Sequence, residues 1–158
     1  MIIDFEQNVL ATKELQELSK KIAKETVKQL GLVEPEFEFS LCFVDKERMR
    51  LINFQTMEED KPTDVLAFPF LEFGCLSELV ASNFPLDLTE SGNIFLGDVV
   101  VCLEIAASQA LEMGHSEQKE LAILITHGIL HLLGFTHYES DDTEQMFALQ
   151  DKIVASVL

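Results

Sequence analysis

His127-Gly128-Ile129-Leu130-His131-Leu132-Leu133-Gly134-Phe135-Thr136-His137 holds three of the four histidines in the chain. On a helix, residues four apart share a face about 5–6 Å apart, so the imidazoles of His127 and His131 can be aimed at one point. Gly134 stands where a helix end places a residue in the left-handed region, which glycine adopts cheaply, so the chain can reverse just after His131 and return His137 as a third ligand. Three neutral imidazoles around a divalent ion leave one tetrahedral position for water, which distinguishes a catalytic site from a closed structural one. On such an ion the pKa of the water falls towards ~7. Reading the three as ordinary helix and loop histidines asks for a coincidence of spacing in a chain with so few of them.

The His-x3-His-x5-His spacing equals that of metzincin peptidases, which carry Glu directly after the first histidine as general base. Gly128 occupies that position here and cannot take a proton, so a metallopeptidase of that kind lacks its base.

Working outward, Ser116 is a good N-cap, with Glu117 in the first turn of a long apolar helix through Leu121, Leu124, Ile125 and Leu132. That apolar bulk implies a central helix with its histidines on a cleft floor. Upstream, residues 94–101 read as a strand leading into an alanine-rich helix over 103–113 closed by Gly114. Downstream, 138–142 is a polar connector, and 143–158 forms an amphipathic helix with Met146, Leu149, Ile153 and Val157, closing over the core.

In the first half, 1–5 is a short apolar start and 12–30 is a helix with Ala11, Leu15, Leu18 and Ile22 on one face. Lys13, Lys20, Lys21, Lys24 and Lys28 fall on the opposite face, read as a solvated stripe or as a phosphate-contacting one. A strand over 36–44 and a helix from 46 to about 55, capped by Asp45, follow. Asp60-Lys61-Pro62-Thr63-Asp64 turns into a β-rich segment that Pro69 stops or confines to a sheet edge. Residues 71–93 lack a sustained period and read as a long loop with a helical turn.

At 158 residues and 47% hydrophobic content, the chain is expected to be one domain, 1–158, that needs no metal or disulfide to fold. Cys42, Cys75 and Cys102 are odd in number and set among apolar residues, so they read as buried thiols of a reducing compartment. There is no basic leader and no apolar run long enough for a membrane, so a cytoplasmic protein is expected. The net charge of −17 is patterned: five of the 11 Lys and Arg lie between Lys13 and Lys28, and residues 62–118 have none.

Four blocks carry a resemblance to a known family. They are His127-Gly128-x-Leu130-His131-Leu132-x-Gly134-Phe135-x-His137, Asp60-Lys61-Pro62-Thr63-Asp64-Val65-Leu66, Leu96-Gly97-Asp98-Val99 and Gly114-His115-Ser116, in that family's order and over about half the chain. They resemble the bacterial YbeY rRNA maturation factors. The resemblance implies an α+β domain in which a small mixed β-sheet packs against helices around a central metal-bearing helix. It also implies a metal-dependent endoribonuclease acting in small-subunit ribosomal RNA maturation and ribosome quality control. His127, His131 and His137 carry the metal role by position, with zinc expected and nickel an alternative. Asp64, Asp98 and His115 are candidate catalytic residues. Implied partners are ribosomal RNA in the small subunit, a small-subunit ribosomal protein and an assembly GTPase. The chain departs from the family pattern in three places: Thr56-Met57 replaces a Tyr-Arg pair, Ala67 a Ser, and Thr136 an Asp. The lost arginine matters most, because a guanidinium suits bidentate phosphate contact and Met does not. A ribosome-assembly binding factor with a largely structural metal is therefore the competing reading, with the metallopeptidase third.

Overall fold

The computed structural model describes residues 1–5, 8–32, 37–136 and 140–158, with backbone alone at 140 and 141. Among these residues four strands form one sheet in the order β1-β2-β4-β3. β1 (Ile2–Asp4) pairs in parallel with β2 (Phe37–Val44), and β2 in parallel with β4 (Ile94–Cys102). β3 (Val65–Pro69) runs antiparallel to β4 at the far edge. The sheet is small and mixed, as the α+β expectation has it. β1 is a strand that the apolar start alone does not reveal. Glu36, the first residue of the strand expected over 36–44, lies outside the described residues. Pro69 closes an edge strand, where a missing N–H interrupts no ladder.

Among the described residues five α-helices flank the sheet: α1 (Lys13–Leu30), α2 (Lys46–Met57), α3 (Leu103–Met113), α4 (Glu117–Leu132) and α5 (Ser140–Val157). Thr12, Asp45 and Ser116 cap α1, α2 and α4 by accepting the N–H of Leu15, Arg48 and Lys119. α2 runs two residues past its expected end to Met57, and Glu58 after it adopts the left-handed conformation at φ 59°. α5 begins three residues earlier than the periodicity indicates, with Asp142 and Glu144 near its N-terminal end, where acidic residues suit the helix dipole. The rest of the expected 138–142 connector lies outside the described residues. The 71–93 segment is irregular apart from two single 3-10 turns, Leu76–Glu78 and Ala81–Asn83.

The sheet separates two apolar clusters. Phe39, Leu41, Phe43, Leu96, Val99 and Val101 pack with Ile22 of α1, Ile125 and Ile129 of α4, and Met146 and Ile153 of α5. On the other face Val44, Leu66, Val100 and Cys102 pack with Met49 of α2. A register shift at Gly97 decides which face each β4 residue takes. Glu38 pairs with Phe95 but Ser40 with Asp98, so two β4 residues oppose Phe39. Gly97 sits at φ 130°, and a Cβ there would stand 2.1 Å from the Phe68 carbonyl oxygen. Through this bulge Leu96 and Val99 both face the large cluster, and Asp98 turns to the α2 face.

The cysteine reading needs one correction. Cys102 is buried and Cys42 half-buried, but Cys75 is exposed. Its neighbours Phe73 and Leu76 turn to the core, leaving Cys75 outward beside Ser77 Oγ at 3.0 Å. Burial raises the pKa of the Cys102 thiol. No helix among the described residues is long and apolar enough to cross a membrane.

Candidate functional site

α4 packs on the sheet through β3 and β4 and against α1, α3 and α5, and Gly128 lets it come close to the strands. A Cβ on Gly128 would stand 2.5 Å from Val99 Cγ1, so a side chain there meets the β4 wall rather than the cleft. Gly134 ends the helix region at φ 86°, its N–H donating to the His131 carbonyl while Phe135 N–H donates to that of Leu130. This paired closure turns the chain directly behind His131.

Between Leu121 and Leu132 only Ile123, His127 and His131 keep partial exposure, and they mark the open stripe of the helix. The Nε2 atoms of His127 and His131 stand 3.0 Å apart, with the rings at 77°. Nδ1 of His127 lies 3.1 Å from Gln150 Oε1 on α5. An amide oxygen only accepts, so Nδ1 carries the hydrogen, and in the neutral form of the ring the lone pair sits on Nε2, the atom that faces His131. Two nitrogens bound to one ion at ~2.0–2.1 Å stand roughly 3–3.5 Å apart, so this pair fits a transition metal, with Gln150 in the supporting role such ligands usually have. His137 lies outside the described residues. Among those described, no group of three His, Cys, Asp or Glu is placed to hold a metal ion.

The histidines open into a cleft of about 840 Å³. Its walls come from α4, from β3 through Val65, Ala67 and Pro69, from Leu71 to Phe73 in the long loop, from Phe147 and Gln150 of α5, and from Met57 at the end of α2. The described lining includes Asp64, Glu72 and Glu120 but neither Lys nor Arg.

The three catalytic candidates fall in different places. Asp64 lines the cleft, and its carboxylate accepts from Val65 N–H at 2.7 Å, the Thr63 hydroxyl at 3.2 Å and the Gln109 amide at 3.0 Å. His115 stands behind the wall: Nε2 is 3.1 Å from Glu120 Oε2, and Nδ1 is 3.2 Å from the Ser116 carbonyl. Asp98 does not join them. The Gly97 bulge puts it on the opposite face of the sheet, lining a smaller cavity with Ser40, Cys42 and Arg48.

Sequence reasoning missed Glu120, Glu72 and Gln150. Glu120 had a signal, standing seven residues before His127 and therefore on the same helical stripe. Burial pushes its carboxyl pKa up, the neighbouring His115 pulls it down, and the charge of Asp64 adds to the rise.

Each departure from the family pattern puts a residue on this cleft, namely Met57 of the Thr56-Met57 pair, Ala67 and Thr136. Arg50, which shares the helix face of Met57, does not substitute for the absent guanidinium. Its Nε is 2.7 Å from Asp60 Oδ1 and Nη1 3.5 Å from Glu47 Oε1, and it is not part of the cleft wall.

The family model for the endoribonuclease YbeY matches residues 2–158. An endoribonuclease YbeY of Beutenbergia cavernae is 46% identical over 126 residues, covering 80% of this chain and 78% of its own. That of Syntrophomonas wolfei is 38% identical over 157 residues, covering 99% and 96%. The solution structure of TM1509 from Thermotoga maritima superposes with a TM-score of 0.63 at 29% identity, covering 99% of this chain and 87% of that one. With the family model running from residue 2 to residue 158, and with relatives this similar over most of the chain, the chain belongs to the endoribonuclease YbeY family.

Proposed function

We propose that the chain is a metal-dependent, single-strand endoribonuclease acting in small-subunit ribosomal RNA maturation and ribosome quality control. The observation that carries this reading is the convergence of the His127 and His131 Nε2 atoms, 3.0 Å apart, in a cleft whose described lining has no Lys or Arg. A phosphodiester entering that cleft meets Asp64, Glu72 and Glu120, so a cation is needed to hold it. His127, His131 and His137 would hold one divalent transition metal, zinc first and nickel second. Bound there, the metal supplies Lewis-acid polarisation of a phosphoryl oxygen. The protein's own part is to keep His127 in one tautomer through Gln150 and to wall the site with α4, β3 and α5.

Docking to the substrate draws on few cations. The α1 lysines are all exposed on the solvent side, and beyond them Arg50 and Lys61 are engaged by acidic neighbours. A small-subunit ribosomal protein or an assembly GTPase in the cytoplasm then supplies part of the docking, and the salt slope of RNA binding by the isolated chain should correspond to about 2–4 phosphates.

Met57 on the cleft wall favours a second reading, an assembly factor whose metal organises the cleft without fast cleavage. A peptidase is disfavoured because the position of its base is packed against Val99. The deciding experiment incubates the metal-loaded protein with structured and single-stranded RNA and with a peptide library, each with and without chelator, beside His131→Ala. Chelator-sensitive RNA cleavage lost in the variant supports the nuclease. Tight RNA binding without cleavage supports the assembly factor, and peptide cleavage overturns both.

A further inference from the structure

We infer that Glu120 reads the nucleoside next to the scissile phosphate, accepting a hydrogen bond from a base amine or a ribose hydroxyl; the inference rests on the nuclease reading of the cleft. Seven residues at ~1.5 Å each separate Glu120 from His127 by about 10 Å along α4. That exceeds the ~2.6–3.2 Å reach of a proton-transfer group acting on an atom held at the imidazoles. Glu120 therefore acts on a neighbouring part of the substrate.

The chemistry between the two ends defines what lies there. Ile123 and Leu124 of α4 and Val65 and Ala67 of β3 make an apolar trough from the histidines to Glu120. At its far end the Asp64 carboxylate is satisfied by Val65, Thr63 and Gln109. Glu120 is different. Its side chain is only 9% exposed, Oε2 faces His115, and Oε1 has no partner among the described residues while the residue lines the cleft. Oε1 is not sealed from solvent, so a donor from a ligand in the cleft would take the place of water there. With Asp64 beside it and no described Lys or Arg on the wall, the position suits a neutral N–H or O–H and repels phosphate. A flat apolar body with donors at its edge is a nucleoside.

The test uses the metal-loaded full chain and single-stranded oligoribonucleotides with one cleavage position. In each, one nucleoside flanking that bond is replaced by an analogue lacking the exocyclic amine, such as inosine for guanosine or purine riboside for adenosine, or by its 2′-deoxy form. Parent, Glu120→Gln, Glu120→Leu and the double variant Glu120→Leu with His115→Leu are compared. The double variant removes both members of the pair, so that no buried partner is stranded. One of the two replacements should lower kcat/KM about tenfold in the parent, the usual effect of losing a hydrogen bond to a charged acceptor. Glu120→Gln, which keeps an acceptor, should retain part of that discrimination, and the Leu variants should lose it. The arm that responds identifies amine or hydroxyl. Equal discrimination in parent and Leu variants overturns the inference and leaves the nuclease standing. Absence of chelator-sensitive cleavage by the parent overturns both. Cleavage indifferent to the replacements, but inhibited by a lysine tetrapeptide only when Glu120 is present, assigns the trough to a basic protein side chain and also overturns it.

Discussion

Gly128 of α4 and Val99 of β4 approach so closely that a Cβ on the glycine would meet both Val99 methyl groups, at 2.5 and 3.1 Å. The glycine of the histidine motif thus has a packing role, and a side chain at this cleft-lining position would start against Val99. Gly→Ala inside a helix normally gains about 0.8–1 kcal/mol. Overpacking a close-packed core costs about 1–3 kcal/mol, and at 2.5 Å from a β-branched side chain held in a central strand the cost wins. Gly128→Ala should therefore lower the melting temperature, and Val99→Ala in that background should recover part of the loss. A variant as stable as the parent would show that α4 can move off the sheet.

Gln150 lies 23 residues beyond His127 in sequence and reaches it only because α5 packs on α4. Gln150→Leu keeps the volume and removes the acceptor that holds Nδ1–H. Metal affinity, measured by competition with a chromophoric chelator, should drop 10–100-fold, the usual cost of losing such a support. The melting temperature in excess chelator should change far less than the affinity. Unchanged affinity would remove Gln150 from the centre.

How far the sequence carries the fold depends on the range of the signal. Ser116, Gly134 and the apolar period between them delimit α4 because caps and periodicity are local. β1 is illegible as a strand: three residues have no period, and their pairing comes from β2. The placement of Asp98 is illegible because the parity of β4 is reset at Gly97, where the constraint is the Phe68 carbonyl of another strand. Within the cleft, Glu120 was legible from its helical spacing to His127. Gln150 and Glu72 were not, since tertiary packing alone brings α5 and the long loop to the histidines.

Glu120 also gives the fold a pH dependence. Burial raises its folded-state pKa above the unfolded carboxyl value, partly offset by His115 and reinforced by Asp64; Glu72, His127 and His131 share the same cleft. The folded state therefore binds more protons than the unfolded state, so this contribution to stability is fully present below about pH 4.5 and is lost as pH rises through the folded value. Relative to the parent, Glu120→Gln should gain melting temperature as pH is taken from 4.5 to 7.5, measured in chelator so that metal binding does not contribute. A constant difference over that range would mean that Glu120 ionises alike in both states.

Met57 is the position where family pattern and chemistry meet. It is half exposed, closes α2 and lines the cleft, so a longer side chain there can extend along the wall without displacing core atoms. An arginine would bring a cation to a lining whose described residues include three carboxylates and no Lys or Arg, where phosphate charge needs a partner. Single electrostatic donors to a developing oxyanion commonly contribute ~2.7–4 kcal/mol, or roughly 10²–10³ in rate. Some of that is lost here to solvent exposure and to pairing with the nearby carboxylates. Met57→Arg should therefore raise chelator-sensitive cleavage of single-stranded RNA at least about tenfold. Arg50→Ala should leave cleavage unchanged, because that guanidinium is engaged by Asp60 and Glu47 away from the cleft. Equal rates for parent and Met57→Arg, both well above His131→Ala, would show that this wall carries no catalytic charge. A loss of activity in Arg50→Ala would mean that its ion pair with Asp60 opens when RNA binds.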